Sequence, residues 1–395
     1  MKVKIHRGTH QIGGCITEIS TQTTKIIIDM GEELPNKNKA PHNIEIDGIT
    51  KGIKDCNAVF FTHYHGDHLG LYKNILPDIP IYIGEAAKEI FLKLSERIDK
   101  EAVPIVQEFI TFKALDKIRV GNIKITPLLI DHSAYDAYMF LIESDNKRIL
   151  HTGDFREHGF RGKKLIKMLE KYVGKVDTLI IEGTMLSREG TVISEDEIMK
   201  QAKVLMNNEN KKYVFVLCSS TNIDRIALFY NSNPRGRYFI CDEYQKSILD
   251  VVSKFGSNKS NFYNFKYALT YGKNLEDKLR TKGFCMLVRQ NDFFKNIIEK
   301  YEKEDFLFVY SMWGGYLDRD DTKNDGLVEF LKDINYVKLH TSGHATKETI
   351  IRVCNAVKPK SGIIPIHSEN SKKLLDTDLN YPVHILNDGE TIEIK

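Results

Sequence analysis

His63-Tyr64-His65-Gly66-Asp67-His68 places three imidazoles and one carboxylate within six residues. The apolar run Ala58-Val59-Phe60-Phe61 precedes it and is typical of a strand. Side chains 63 and 65 point the same way from an extended strand end, whereas 67 and 68 follow a turn at Gly66 into a helix. Each pair can hold one ion, so the pattern predicts a dinuclear metal site.

The donor types indicate which metal and which use of it. Imidazole and carboxylate donors, with no thiolate in the same stretch, suit zinc held for hydrolysis better than a closed structural zinc. The alternative is a polar surface cluster. With 13 His in 395 residues, four such matches arise by chance in roughly one chain in a thousand, which favours the metal site.

Composition narrows the class of protein. The chain has 395 residues and 42% hydrophobic content, enough for two or three packed domains. It shows no signal peptide and no membrane-length apolar run, so we expect a cytoplasmic protein with no membrane partner. The net charge of +3 is too small to identify a polyanionic partner. Six scattered cysteines form no CxxC pair and are expected to be buried free thiols: Cys15, Cys56, Cys218, Cys241, Cys285 and Cys354.

The order of apolar segments predicts two α/β domains. Short strands open the chain, and amphipathic helices follow them, as in sheets faced by helices. From residue 187 to residue 336 strands and helices alternate regularly, which indicates βαβ units and a parallel sheet. The first pattern then returns. We therefore expect one domain built from residues 1–186 and 337–395, interrupted by an inserted α/β domain at 187–336.

A two-metal hydrolase needs further ligands, including a carboxylate able to bridge both ions. Three candidates each follow an apolar strand: His132, Asp154 and His367. A single histidine in such a place is more often a hydrogen-bonded structural residue. Taken together, however, the three complete a coordination scheme with the first stretch.

These residues carry a resemblance to a known family. The hexad, His132, Thr152-Gly153-Asp154 and Asp29 resemble, in the same order, the motifs of the metallo-β-lactamase fold. Glu182, the run from His340 to Ala345 and the run from Ile364 to Glu369 are similar to motifs A, B and C of the β-CASP nucleases. That group includes ribonuclease J and the endonuclease of mRNA 3′-end processing. The resemblance implies an αββα sandwich whose insertion is the β-CASP domain.

The resemblance also implies a role for each site residue. It places one Zn²⁺ on His63, His65 and His132, and a second on Asp67, His68 and His367, with Asp154 bridging them; Mn²⁺ is the alternative ion. It makes Asp67, Glu182 and His344 catalytic, with His344 contacting the scissile phosphate or the leaving oxygen and Glu182 orienting it. Asp29 would fix the ligand geometry from behind.

Two turns before helices are candidate phosphate seats. Ser220 and Asn222 stand where a strand feeds a helix, with Arg225 one turn on, and Ser342 and Gly343 form a similar turn. The alternative is ordinary helix capping. The basic, aromatic-rich sequence 254–303 could bind single-stranded RNA through phosphates and stacked bases. The alternative for that sequence is a mixture of core and solvated surface.

The expected function is a zinc-dependent ribonuclease that hydrolyses RNA phosphodiester bonds in exo- or endonucleolytic mode. By the resemblance, a histidine at position 367 favours RNA over DNA. The alternatives are a DNA-directed β-CASP nuclease, a hydrolase of small phosphodiesters or lactones, and a non-catalytic scaffold. We expect the chain to lack the C-terminal domain common in ribonuclease J and the KH domains of archaeal relatives, which leaves the oligomeric state and protein partners open.

Overall fold

The structure is a computed structural model, and it describes residues 1–38, 44–188, 192–208, 211–257 and 260–394. The chain forms two compact units. Unit 1 comprises Met1–Pro35, Pro41–Thr191 and Gly343–Lys395, and unit 2 comprises Asn36–Ala40 and Val192–Ser342. The boundaries of unit 2 at 192 and 342 differ from the expected 187 and 336 by five and six residues, and the segment 36–40 was not expected in it.

The first part of the chain supplies most of unit 1. Its strands are β1 Lys2–Arg7, β2 Ile16–Ser20, β3 Lys25–Ile28, β4 Ala58–Phe60, β5 Ile81–Gly84, β6 Ile110–Phe112, β7 Ile118–Val120, β8 Ile123–Ile130, β9 Ala137–Ser144, β10 Lys147–His151 and β11 Thr178–Glu182. Its helices are α1 Gly66–Leu69, α2 Glu85–Ile98, α3 Val103–Gln107 and α4 Leu165–Tyr172.

The middle of the chain forms unit 2. Its helices are α5 Glu195–Met206, α6 Ile223–Ser232, α7 Glu243–Gly256, α8 Glu276–Lys282, α9 Asp292–Glu299, α10 Gly315–Asp318 and α11 Asp325–Leu331. Its strands are β12 Tyr213–Leu217, β13 Tyr238–Cys241, β14 Ala268–Thr270, β15 Phe284–Val288, β16 Phe306–Tyr310 and β17 Tyr336–Lys338. The strands lie in the order β14-β13-β15-β12-β16-β17, and every pairing is parallel. The predicted parallel sheet is confirmed.

The last part of the chain returns to unit 1 with α12 Lys347–Val357, β18 Gly362–Ile366 and β19 Thr391–Glu393. Two sheets result, β19-β1-β2-β3-β4-β5-β6 and β18-β11-β10-β9-β8-β7. Their facing side chains form one apolar cluster, in which Ile26, Ile28 and Phe60 lie with Phe140 and Ile180. Burying these faces from water drives the two sheets together.

Helices cover the other face of the second sheet. Leu165 and Leu169 of α4 and Ile350 and Val353 of α12 join a cluster with Leu179 and other strand residues. The predicted sandwich of sheets faced by helices is confirmed. β7 and β8 form a hairpin, because Gly121 adopts φ +54° and turns the chain.

The parallel strands β10, β11 and β18 set up the site. β11 pairs with β10 and with β18, and Glu182 is in register with Ile366. The carboxyl ends of parallel strands meet at one edge, so the residues that follow these strands are brought together there. Among the described residues, no helix is both long and apolar enough to cross a membrane.

Candidate metal centre

Three histidines of the first predicted set converge. His63 and His65 follow β4, and His132 follows β8. The Nε2 atom of His63 lies 3.0 Å from Nδ1 of His65, and Nε2 of His132 lies 3.3 Å from the same Nδ1. Nitrogens bound to a tetrahedral zinc at 2.0–2.1 Å are separated by about 3.3 Å. The spacing therefore fits one zinc-sized cation.

The second predicted set converges beside it. Nε2 of His68 lies 3.1 Å from Oδ2 of Asp154 and 3.8 Å from Oδ2 of Asp67. Nε2 of His367 lies 3.2 Å from Oδ2 of Asp67 and 3.7 Å from Oδ2 of Asp154. The four donor atoms enclose a second position of similar size, and the four side chains form one of the clusters able to hold a metal.

Asp154 has the free oxygen that a bridging ligand requires. It is 2% exposed, and its Oδ2 faces His68 and His367. Its other oxygen, Oδ1, is buried and has no hydrogen-bond partner among the described residues. A buried carboxylate oxygen left in this state is costly unless a cation or a donor occupies its other side. The residues present therefore fit a pair of metal ions.

The backbone at Gly31 packs closely against the backbone of the hexad. A Cβ atom at Gly31 would lie 1.8 Å from the backbone oxygen of Asp67, so only glycine allows this approach. The backbone N–H of Met30 donates to the oxygen of His68 at 2.7 Å. Asp29, just before Gly31, is fully buried at φ +62° and accepts hydrogen bonds from the N–H and hydroxyl of Thr62.

Each histidine that presents Nε2 has its Nδ1 anchored. The pairs are His63 with Oγ1 of Thr62 at 3.0 Å, His68 with Oδ2 of Asp29 at 2.8 Å, His132 with the carbonyl of Gly343 at 2.8 Å, and His367 with Oγ1 of Thr184 at 2.7 Å. An anchored Nδ1–H leaves the Nε2 lone pair directed at the ion. Sequence reasoning identified Asp29 but missed Thr62 and Thr184 as anchors.

Gly343 supports a candidate ligand, and its expected contact with phosphate stays a prediction. A Cβ atom there would lie 3.0 Å from Oγ of Ser133 and 3.4 Å from Cε1 of His132. The absence of a side chain therefore lets its carbonyl reach the ring of His132. The structure places Gly343 behind a candidate ligand. Ser342, its expected companion, belongs to unit 2.

Burial and neighbouring charges shift the pKa values of the two sets in different directions. Burial lowers the pKa of His63 and His132 well below the usual range and that of His65 to about 4. Burial also opposes the charged form of His68, but the carboxylates of Asp154, Asp67 and Asp29 outweigh it and raise its pKa. The first set is therefore neutral and ready to bind a cation, whereas binding at the second set displaces a proton.

Cys15 also lies close to the second set. Its Sγ and one nitrogen each of His68 and His367 lie within 4.8 Å of one another. The stretch 63–68 contains no thiol, but folding brings this one from the loop before β2. Burial raises the pKa of Cys15 well above its usual range, with Asp154 and Asp29 adding to the effect. All six cysteines are buried and free, as predicted.

Glu182 and His344 lie at the same edge. Oε1 of Glu182 accepts from the backbone N–H groups of Phe155 and Ala345, and Oε2 accepts from that of Thr184. Nδ1 of His344 lies 3.3 Å from Oε2 of Glu182 and 3.6 Å from Oδ2 of Asp154. The His344 side chain is 20% exposed, whereas those of His68 and His367 are 1% exposed. His344 is therefore the more accessible to a substrate.

His344 is also poised to carry a proton. Burial lowers its pKa, but the carboxylates of Glu182 and Asp154 raise it by more, so its pKa lies above the usual value. The two carboxylates thus favour the protonated ring, which is the form that can donate to a departing oxygen.

The phosphate seat expected in unit 2 is corrected by the structure. Asn222 caps α6 by accepting from the N–H of Arg225 at 3.2 Å, which is the capping alternative. Arg225 is fully buried, and its guanidinium pairs with Glu195 and donates to Ser311 and to the carbonyl of Leu339. A side chain committed to the interior in this way is a core residue and has no free face for a phosphate. The carbonyl of Ser220 accepts from Gln245.

The basic, aromatic-rich sequence 254–303 divides between core and surface. Tyr263 and Phe265 are buried, whereas Tyr267 is 72% exposed. Arg289 pairs with Asp242 and lies over the ring of Tyr244. Lys259 lies outside the described residues. The rings of Tyr263 and Phe265 are therefore not available to stack on bases, as the alternative interpretation held.

Family models and relatives match this chain. The model of the β-lactamase superfamily domain matches residues 24–210, and that of the Zn-dependent metallo-hydrolase RNA specificity domain matches residues 334–376. Ribonuclease J of Helicobacter pylori is 24% identical over 98% of this chain and 60% of its own length. Ribonuclease J of Mycoplasma genitalium is 22% identical over 93% of this chain and 68% of its own length.

A solved structure has the same fold. It is that of a protein of unknown function from Enterococcus faecalis V583, with a TM-score of 0.79, 22% identity and 99% of each chain covered. The chain spans about 60% of the length of the Helicobacter relative. The matched regions contain the hexad, His132, Asp154 and Glu182 in the first model and His344 and His367 in the second. Over these two regions the chain is similar to metallo-hydrolases of the β-lactamase superfamily and to their RNA specificity domain.

Proposed function

We propose that this protein is a zinc-dependent ribonuclease that hydrolyses phosphodiester bonds of single-stranded RNA. The observation that carries the proposal is the convergence of two donor sets with Glu182 and His344 at one edge of unit 1. The relatives named ribonuclease J and the RNA specificity domain matched at 334–376 support RNA as the substrate class.

One ion would be held by His63, His65 and His132. The other would be held by Asp67, His68 and His367, and Asp154 would contact both. Two divalent cations, when bound, lower the pKa of a water toward about 7 and offset the charge of a phosphate. The remaining chemistry belongs to the chain. His344 donates its proton to the leaving oxygen, and Glu182, fixed by three backbone N–H groups, keeps that ring in place.

The Nδ1 contacts would fix the orientation of the histidine rings, so that no reorganisation is needed when substrate binds. These contacts come from Asp29, Thr62, Gly343 and Thr184. The His344 side chain is 20% exposed and can meet a phosphate directly. We therefore assign His344 to proton transfer and the two donor sets to holding the ions.

Parallel turnover of three substrates tests the proposal: single-stranded RNA, single-stranded DNA of the same sequence, and bis-nitrophenyl phosphate. We expect RNA to be cleaved with a kcat/KM well above that for the other two, and His344→Ala to remove most of that activity without releasing metal. Equal or faster DNA cleavage would assign the protein to DNA, and turnover of the small ester alone would assign it to small phosphodiesters. Labelling the RNA at either end reports the mode of cleavage.

A further inference from the structure

The hydroxyl of Thr184 makes two contacts with the same residue, His367. Its Oγ1 lies 2.7 Å from Nδ1 of the ring and 3.2 Å from the backbone oxygen. Both residues are buried, with 1% and 0% exposure. The ring Nδ1–H donates to the hydroxyl, and the hydroxyl donates to the carbonyl, so both functions of the O–H group are used. Nε2, 3.2 Å from Asp67, is then left without a proton and can bind a cation.

The backbone of His367 also needs support. It adopts φ +52°, a left-handed conformation that histidine rarely takes, and such conformations persist only where the surroundings hold them. The N–H of His367 donates to the oxygen of Gly8 at 2.7 Å. Thr184 holds the carbonyl, so the residue is fixed on both sides.

The strand register places Thr184 at this position. β11 and β18 run parallel with Glu182 opposite Ile366, and the N–H of Gly183 donates to the oxygen of Ile366 at 2.9 Å. Thr184 and His367 leave the two strands side by side. The N–H of Thr184 donates to Glu182, a bond that a side-chain substitution leaves intact. A variant at 184 therefore changes the support of His367 and keeps that of Glu182.

We propose that Thr184 is a positioning residue for the second metal position, acting through His367. The inference rests on the proposed function only in taking His367 as a metal ligand. Loss of the hydroxyl frees the ring to rotate and to carry its proton on Nε2, where it blocks the cation. Substitution of such a supporting partner weakens metal affinity by about 10–100-fold. The first position, at His63, His65 and His132, has other anchors and keeps its affinity.

Two variants separate the hydroxyl from the volume of the side chain. Thr184→Val removes the hydroxyl at nearly constant shape, and Thr184→Ser keeps it. Thr126→Val is a matched control, because Thr126 is also buried in unit 1 and its hydroxyl accepts from Lys117 at 3.0 Å. Zinc affinity and ions bound per chain are measured by competition with a chromophoric chelator.

We expect Thr184→Val to bind the second ion about 10–100-fold more weakly and the first ion with parental affinity. Thr184→Ser and Thr126→Val should bind both ions with close to parental affinity. Parental affinity for both ions in Thr184→Val would overturn the inference, and so would an equal loss in Thr126→Val. If Thr184→Val does not fold, Thr184→Ala, which also lacks the hydroxyl, takes its place in the same assay. Weaker binding of the second ion alone supports the inference, and parental affinity for both ions overturns it.

The outcome is separable from that of the proposed function. A parent protein that binds two ions and leaves RNA intact refutes the ribonuclease and not the role of Thr184. An active parent whose Thr184→Val variant keeps both affinities refutes only the role of Thr184.

Discussion

Asp29→Asn tests how the second metal position is supported. The Asp29 carboxylate is fully buried and accepts three hydrogen bonds, each of 2.8 Å: Oδ1 from the N–H of Thr62, and Oδ2 from the hydroxyl of Thr62 and from Nδ1 of His68. An asparagine has one accepting oxygen in place of two. Its NH₂ group must face either the N–H of Thr62 or the ring of His68, and both contacts bring donor against donor.

The two orientations have different costs. If the NH₂ group faces Thr62, a buried N–H is left without an acceptor, which lowers the free energy of unfolding by about 1–3 kcal/mol. If it faces His68, the ring proton moves to Nε2, and metal affinity falls by about 10–100-fold, which is about 1.4–2.8 kcal/mol. Because the protein takes the cheaper orientation, we expect a loss of at least ~1 kcal/mol in one of the two quantities.

Urea unfolding of the metal-free protein and chelator competition for zinc measure the two costs separately. Asp29→Ala serves as a comparison, because it leaves all three donors without their acceptor and should lose more in both assays. If Asp29→Asn unfolds at the same urea concentration as the parent and binds both ions with parental affinity, the support assigned to Asp29 is wrong.

The site and the core of unit 2 can be tested with three further variants. Asp154→Ala removes a carboxylate whose Oδ2 contacts the second donor set and whose buried Oδ1 has no partner among the described residues. The variant should bind fewer than two zinc ions per chain at micromolar free zinc; retention of two tightly bound ions by mass spectrometry would contradict the bridging role. Arg225→Met leaves Glu195 buried without its partner and should lower the free energy of unfolding by about 3–5 kcal/mol in urea titrations, with zinc content unchanged. Unchanged stability, or RNA affinity lost in an otherwise stable variant, would restore the phosphate-seat interpretation. Burial lowers the pKa of His151 to about 4, below its unfolded value. The unfolded chain therefore binds a proton at this residue before the folded chain does. The contribution of His151 to the free energy of unfolding is full above about pH 6.5 and is lost as the pH falls toward 4. The metal-free His151→Gln protein should therefore lose ~3 kcal/mol less than the parent between pH 7 and pH 4, and an identical pH dependence would refute this account.

The convergence of the predicted ligands could be foreseen because it depends on local sequence. His132, Asp154 and His367 each follow an apolar strand, and strands of one parallel group end at one edge. The placement of the hexad's side chains could be predicted from the strand before it and the turn at Gly66 alone. Comparison with known motifs then assigned the residues to two ions, and the donor distances of 3.0–3.8 Å agree with that division.

The anchors were not predictable in the same way. Thr184 contacts His367 only because β11 and β18 pair in one particular register, across 183 positions of sequence. Gly343 supports His132 through its carbonyl, which every residue possesses, so its sequence carries no signal beyond the small side chain.

The error at Arg225 has a physical reason. A polar residue between a strand and a helix, with an arginine one turn on, looks the same in a phosphate seat and in a capped helix. What decides is Glu195, 30 positions earlier, which pairs with the guanidinium in the interior. A buried acidic partner at that distance leaves no local pattern.

We propose that two ions held by this residue set hydrolyse RNA. The most direct measurement adds Zn²⁺ in steps to the metal-free chain and follows ions bound and cleavage of end-labelled single-stranded RNA in the same samples. We expect RNA cleavage by the parent protein to increase when the second ion binds. We expect no cleavage by the Asp67→Ala variant when it holds only the first ion. Full activity with one ion or none, or parental cleavage by Asp67→Ala at equal metal content, would contradict the claim.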